Sequence, residues 1–184
     1  MTDLVFITGN QHKADYLAKW LGVPVPHRKV DLDELQSLDL REVVEHKVRQ
    51  AYDVVKKPVL VDDVSLIFTA MGRLPGTLIK WFLEEMGNEK LCDLAKALPN
   101  QEAISEMMYA VYDGKELTIF TGKVAGNIAS KPSGNSFGWN NIFIPNGYTQ
   151  TYGEMDEEQF NACSHRGQAI EKLRAFLTGE PKSL

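Results

Sequence analysis

The stretch LVFITGNQHKADYLAKWLG, residues 4–22, decides how the rest of the chain is read. LVFITG (4–9) is rich in β-branched and aromatic residues and predicts a buried first strand, ending in the small, hydrogen-bonding Thr8-Gly9-Asn10. HKADYLAKWLG (12–22) then shows helical spacing through Tyr16, Leu17 and Trp20, with Gly22 as a natural stop. A strand that passes through Gly and Asn into a helix has two physical readings. In one, Thr or Asn caps the helix and Gly relieves the turn. In the other, the free N–H groups of the first helical turn face an anion, and Lys13 adds a full positive charge. The stretch alone leaves both open.

Working outward, residues 23–31 read as extended, and Leu40 to Val55 as a long helix closed by Lys56-Lys57-Pro58. PVLVDDVSLIF (58–68) is a second apolar strand interrupted by two carboxylates. Helices are predicted over about 77–85 and 89–98, and residues 105–129 alternate apolar and polar around Asp113-Gly114, a hairpin signal. FGWNNIFIP (137–145) reads as a further strand or a loop, and 159–177 as a closing helix with a polar tail after Gly179. No repeat, low-complexity tract or linker divides the chain, so residues 1–184 are expected to form a single domain. Early β-α-β units followed by hairpins predict an α/β fold: a two-lobed mixed β-sheet with flanking helices and an active-site cleft between the lobes.

A net charge of −5 argues against binding nucleic acid polymers, which needs a basic surface. It leaves room for a small anionic ligand in a locally positive pocket, or for a metal held by carboxylates. No apolar run approaches the length of a bilayer span and the N-terminus shows no signal pattern, so no membrane association is expected. Cys92 and Cys163 match no metal spacing and suit a reducing cytoplasm.

Beyond the N-terminal loop, four segments carry unusual groups. DLDELQSLD (31–39) is either a solvated helix entrance or the source of Glu34 as a hard oxygen ligand. Asp62 and Asp63 interrupt a buried strand, which is costly unless they are paired, hydrogen-bonded or metal-bound. Adjacent strand residues point to opposite faces, so one of the two is expected to reach a site. RLPGTLIKWF (73–82) reads as a tight turn at Pro75-Gly76 and a packing helix bearing Lys80 and Trp81. In the fourth region, Phe137 and Trp139 are core residues or base-stacking platforms. Ser164-His165-Arg166 is a helix start or a set of donors for a ligand's acceptor atoms.

These pieces stand in one order along nearly the whole chain: TGNQHK (8–13), DELQ (33–36), LVDD (60–63), LPGTLIKWFLE (74–84), FGWNNIFIPNGY (137–148), QTYGEM (150–155) and SHR (164–166). Together they resemble the inosine/xanthosine triphosphate pyrophosphatase family, which hydrolyses nonstandard purine nucleoside triphosphates. The resemblance implies a two-lobed α/β homodimer with a Mg²⁺-dependent site between the lobes. It implies that Thr8, Asn10, Lys13 and Lys47 hold the triphosphate, and that Glu34 and Asp63 bind the metal. By the same similarity Asp63 and Lys13 serve catalysis, Phe137, Trp139 and Asn140 belong to the base pocket, and Ser164, His165 and Arg166 read the base.

The chain also departs from that pattern. Asn140 stands where the family usually has an aspartate, Phe160 where it usually has a lysine, Val64 in place of a threonine or serine, and Thr77 in place of a proline. Positions 140 and 160 are expected in or near the base pocket, so a shifted base preference, admitting a 6-aminopurine or other modified nucleotide, stays open beside the ordinary one. A nucleotide-binding protein without turnover is the third reading. The roles of Asp62 and Cys163 do not follow from the sequence.

Overall fold

Strand β1 (Val5–Ile7) sends Phe6 and Ile7 to opposite faces of a sheet, and each face is covered by its own helices. In the computed structural model, which describes residues 3–179, β1 is followed by α1 (Gln11–Leu21), β2 (His27–Arg28), α2 (Leu40–Val55), β3 (Val59–Phe68), β4 (Pro75–Gly76) and α3 (Ile79–Ala97). The hairpin β5 (Glu102–Tyr112) and β6 (Leu117–Ile128) comes next, then β7 (Phe143–Pro145), α4 (Glu157–Cys163) and α5 (His165–Thr178). The seven strands form one mixed sheet in the order β2-β1-β3-β5-β6-β7, with β4 pairing onto β3. β1 is parallel to β2 and β3, and the remaining pairings are antiparallel. This is the mixed α/β architecture expected.

Alternation along β3 assigns the faces. Val59 and Val61 pack with Leu40, Val44, Val48 and Ala51 of α2 on one side. Leu60 packs with Leu17 of α1 and with Ala169, Ile170 and Leu173 of α5 on the other. At the far end of the same strand, Leu66 and Phe68 join a third cluster with Ile79, Leu91 and Ala95 of α3. Each Val, Leu, Ile or Phe among them, fully buried, contributes about 1.5–3 kcal/mol. β3 and β5 run through all three clusters and tie them together.

Local chemistry moves several boundaries from their predicted places. The predicted closing helix is two helices. Asp156 starts α4 with a reciprocal capping box to Gln159, and Ser164 adopts extended backbone, ending α4 and capping α5 through its hydroxyl. Pro75-Gly76, read as a turn, forms a two-residue strand against Leu66 and Ile67 of β3. The two helices expected over about 77–85 and 89–98 are present as the two halves of α3, separated by a kink at Gly87, whose φ of 70° is open to glycine at little cost. Residues 138–142 form a 3-10 turn leading into β7. The polar tail after Gly179 lies outside the described residues.

Candidate active site

Parallel pairing of β1 with β3 sets Phe6 beside Leu60, so Thr8 and Gly9 come level with Asp62 and Asp63. The start of α1, the middle of α2 and the irregular segment 30–36 close around these residues. They enclose a cavity of about 370 Å³, a usual size for a small-molecule site. Thr8, Lys13, Glu34, Lys47, Asp62 and Asp63 all line it.

Two lysine–carboxylate pairs organise the cavity. Lys13 Nζ lies 3.0 and 2.8 Å from the two carboxylate oxygens of Asp62. Lys47 Nζ donates to Asp63 Oδ2 at 3.1 Å and to the Asp62 carbonyl at 3.0 Å. Asp63 Oδ1 accepts from the Val64 N–H at 2.9 Å. Burial disfavours charge on Asp62, but Lys13 and Lys47 outweigh it and hold the carboxyl below its usual pKa. Burial likewise opposes the charge on Lys47, and Asp63 and Asp62 reverse this, so its pKa is raised. Adjacent strand residues do face opposite ways, yet both aspartates reach the cavity, because it runs across the strand and meets a lysine from α1 on one side and from α2 on the other.

Of the two readings left open by its sequence, the helix-capping geometry is formed in the N-terminal loop. Asn10 Oδ1 caps α1, accepting from the His12 N–H at 3.0 Å and the Lys13 N–H at 3.4 Å, and Thr8 Oγ1 accepts from the Asn10 N–H at 3.1 Å. Asn10 itself does not line the cavity, whereas Thr8, Gly9 and Lys13 do.

The residues expected to read a base gather elsewhere and do not line that cavity. Trp139 and His165 are buried and stacked, centroids 5.1 Å apart and planes at 25°, with Tyr152 at 5.7 Å from the imidazole. Neither ring nitrogen of His165 has a partner among the described residues. Burial, reinforced by Arg166, lowers the His165 pKa well below the ordinary value and keeps the ring neutral. Phe137 is 59% exposed, and the Arg166 guanidinium lies between its ring (5.2 Å) and that of Tyr16 (5.6 Å). Ser164 is fully buried and its oxygen accepts from the Gly167 N–H, which commits it to the helix cap. Asn140 Nδ2 donates to Ser136 Oγ at 3.0 Å. Phe160 is a core residue, edge-on to Tyr152 at 5.1 Å, so that position presents packing surface and no polar group.

Among the described residues no three His, Cys, Asp or Glu side chains cluster as a ready-made metal site. Glu34 and Asp63 nevertheless face one cavity, and their hard oxygens suit a small divalent cation that takes one or two carboxylates and completes its shell with phosphate oxygens and water.

Sequence reasoning missed several contributors. Lys80 and Trp81, read there as part of a packing helix, line the cavity, and Lys80 pairs with Glu34 at 3.5 Å while lying 4.9 Å over the Trp81 ring. Tyr16, whose hydroxyl donates to Asn161 at 2.8 Å, is pushed by burial up to a pKa of about 12 and so stays a donor. The available signal for Lys80 was its place beside Trp81 just after a Pro-Gly turn, a pattern that suits a packing helix equally well until the exposure of Trp81 is known.

The sequence and the fold have counterparts among known proteins. The chain is 39% identical to an inosine triphosphate pyrophosphatase of Schizosaccharomyces pombe, the match covering 98% of this chain and 97% of that one. It is 38% identical to the enzyme of the same name from Yarrowia lipolytica, over 95% of each. The structure of a HAM1 protein from Coxiella burnetii superposes with a TM-score of 0.86 at 26% identity, covering 97% of this chain and all of that one. The Staphylococcus aureus Ham1 protein gives 0.84 at 26% identity, over 97% and 99%. A sequence model of the Ham1 family matches residues 4–176, and the chain belongs to that family.

Proposed function

We propose that the protein is a nucleoside triphosphate pyrophosphatase. It hydrolyses nonstandard purine nucleotides such as ITP, dITP and XTP to the monophosphate and pyrophosphate, and so cleanses the nucleotide pool. The observation that carries this reading is the convergence of two partly buried lysine–carboxylate pairs and the start of α1 on one cavity. The names of the fungal relatives supply the substrate class.

The proposed division of labour follows from the chemistry of each group. Lys13, Lys47 and the backbone around Thr8 and Gly9 meet the negative charge of the triphosphate and stabilise what builds during bond cleavage. Glu34 and Asp63 are the groups that would hold Mg²⁺, which when bound neutralises phosphate charge and polarises the phosphoryl centre. Asp63, an acceptor-only carboxylate fixed by Lys47 and by the Val64 N–H, is placed to orient or deprotonate the attacking water. Phe137, Trp139, Asn140, His165 and Arg166 are assigned to the base side, with Ser164 acting there through the cap it gives α5. Pairing of the phosphate lysines with Asp62 and Asp63 keeps them oriented before substrate arrives, and incoming phosphate competes for them.

Residues 1–184 are proposed to act as one two-lobed domain, in a homodimer, in the reducing cytoplasm where the unpaired Cys92 and Cys163 are stable. No helix among the described residues is long and apolar enough to cross a membrane. Product analysis tests the reaction class. Incubation with ITP and Mg²⁺ is expected to release pyrophosphate and IMP in equal amounts, and release of orthophosphate contradicts the proposal.

A further inference from the structure

Glu34 sits on a segment without regular secondary structure, and its place depends on what anchors that segment. Residues 37–39 are well held: Arg73 donates to the Leu38 carbonyl at 2.8 Å, Thr77 donates to the Ser37 carbonyl, and Asp39 caps α2. Residues 31–36 have fewer polar contacts. Among the described residues these are the Glu34–Lys80 ion pair, exposed and at 3.5 Å, and one backbone bond, from the Asp33 N–H to Gln50 Oε1 at 3.0 Å. An exposed pair at that distance restrains little. Val30 and Leu32 pack against the α2 core and fix the start of the segment, but they do not orient the carboxylate two residues on.

Gln50 belongs to α2, three residues after Lys47, so the helix that supplies a phosphate lysine also holds the Glu34 segment. The amide has one productive orientation. With its oxygen given to Asp33, its nitrogen faces the Nε2 of His46, one helical turn earlier. An imidazole nitrogen can accept from the NH₂ or donate to the amide oxygen according to its tautomer, so the contact itself does not choose between the two orientations. Turning the amide over would set its NH₂ against the Asp33 N–H, donor against donor. The Asp33 N–H therefore fixes the amide orientation.

We propose that Gln50, through its bond to the Asp33 N–H, is a positioning residue that fixes the Glu34 segment in the cavity wall and thereby sets how much metal the site requires. This rests on the reading of Glu34 as a metal-side carboxylate. The test uses the full-length protein and two readouts: hydrogen exchange of the Asp33 amide in the metal-free protein, and the Mg²⁺ concentration giving half-maximal turnover of ITP. Loss of one such bond predicts that Gln50→Leu speeds Asp33 exchange by about three- to tenfold and raises the Mg²⁺ requirement by a similar factor, with KM for ITP at saturating Mg²⁺ changed less than about twofold. Gln50→Glu keeps the acceptor and is expected to leave Asp33 exchange within about twofold of the parent.

Unchanged Asp33 exchange in folded Gln50→Leu overturns the proposal, as does faster exchange with no change in Mg²⁺ requirement. Should Gln50→Leu not fold, Gln50→Ala is read instead, with the same faster Asp33 exchange expected and unchanged exchange overturning the idea. Glu34→Gln separates the two levels. It is expected to raise the Mg²⁺ requirement without touching Asp33 exchange, and if it leaves the requirement unchanged, the assignment of Glu34 itself is wrong.

Discussion

Asp62 is only 3% exposed yet charged, and the ammonium of Lys13 against both of its oxygens is what permits this. Replacing it by asparagine keeps the shape and removes the charge, leaving Lys13 without its partner carboxylate. We expect Asp62→Asn to lower unfolding free energy by about 2–3 kcal/mol, short of the full cost of breaking a buried pair because Lys13 is 30% exposed. Urea unfolding of the two proteins measures it, and a change near zero contradicts the account of the pair. Much at this scale was legible beforehand. Two carboxylates in an apolar strand demand partners, and Lys13 and Lys47 are those partners. What could not be read was which lysine meets which aspartate, since that depends on α1 and α2 lying on opposite faces of the sheet. Phe137 and Trp139 were equally opaque. Two residues apart, one is exposed beside Arg166 and the other buried on His165, because the 3-10 turn between them follows no simple periodicity.

At the scale of elements, the close approach of β6 to α5 positions His165 and Arg166. Gly122 makes it possible, since a Cβ there would overlap the His165 carbonyl and crowd the Ala169 N–H. Gly122→Ala should therefore displace α5 and cost about 3 kcal/mol, the upper end for overpacking, because backbone rather than a flexible side chain stands in the way. Thermal unfolding measures this, and an unchanged midpoint contradicts it. Long elements such as α2, with its apolar positions at helical spacing, declare themselves in sequence, and α2 runs over the residues predicted for it. The α4–α5 break did not, because apolar spacing continues across Ser164 while the hydroxyl of that residue starts a new helix. Asp156 and Gln159, three apart, were the signal for an earlier start to α4. A glycine within a strand, as at 122, marks a backbone contact but not with what.

At the scale of the whole molecule, the buried neutral His165 couples stability to pH. Its pKa in the folded protein lies below the ordinary value of about 6.5, so the unfolded chain takes up a proton as pH falls through that value while the folded chain does not. The stabilising contribution is thus complete above about pH 7 and declines on acidification, by at most about 1.4 kcal/mol per pH unit until the folded-state pKa is reached. Asp62, lowered rather than raised, adds its own loss at lower pH, starting where free aspartates titrate at about pH 4 and continuing down to its depressed folded-state pKa. Urea unfolding from pH 7.5 to 5.5 should show the slope in the parent protein and a shallower one in His165→Gln. Equal slopes contradict this account of the buried imidazole.

The central claim joins these scales: one cavity, two lysines and two carboxylates perform phosphoanhydride hydrolysis on purine nucleotides. Its most direct test is Mg²⁺-dependent pyrophosphate release from a panel of ITP, dITP, XTP, GTP, ATP and dATP, run beside Asp63→Asn. The account predicts a strong preference for ITP, dITP and XTP, with turnover reduced at least about 100-fold by the substitution. Faster turnover of ATP or dATP would mean that Asn140 and its surroundings have redirected the base pocket. Release from no nucleotide, or release undiminished in Asp63→Asn, would contradict the claim itself.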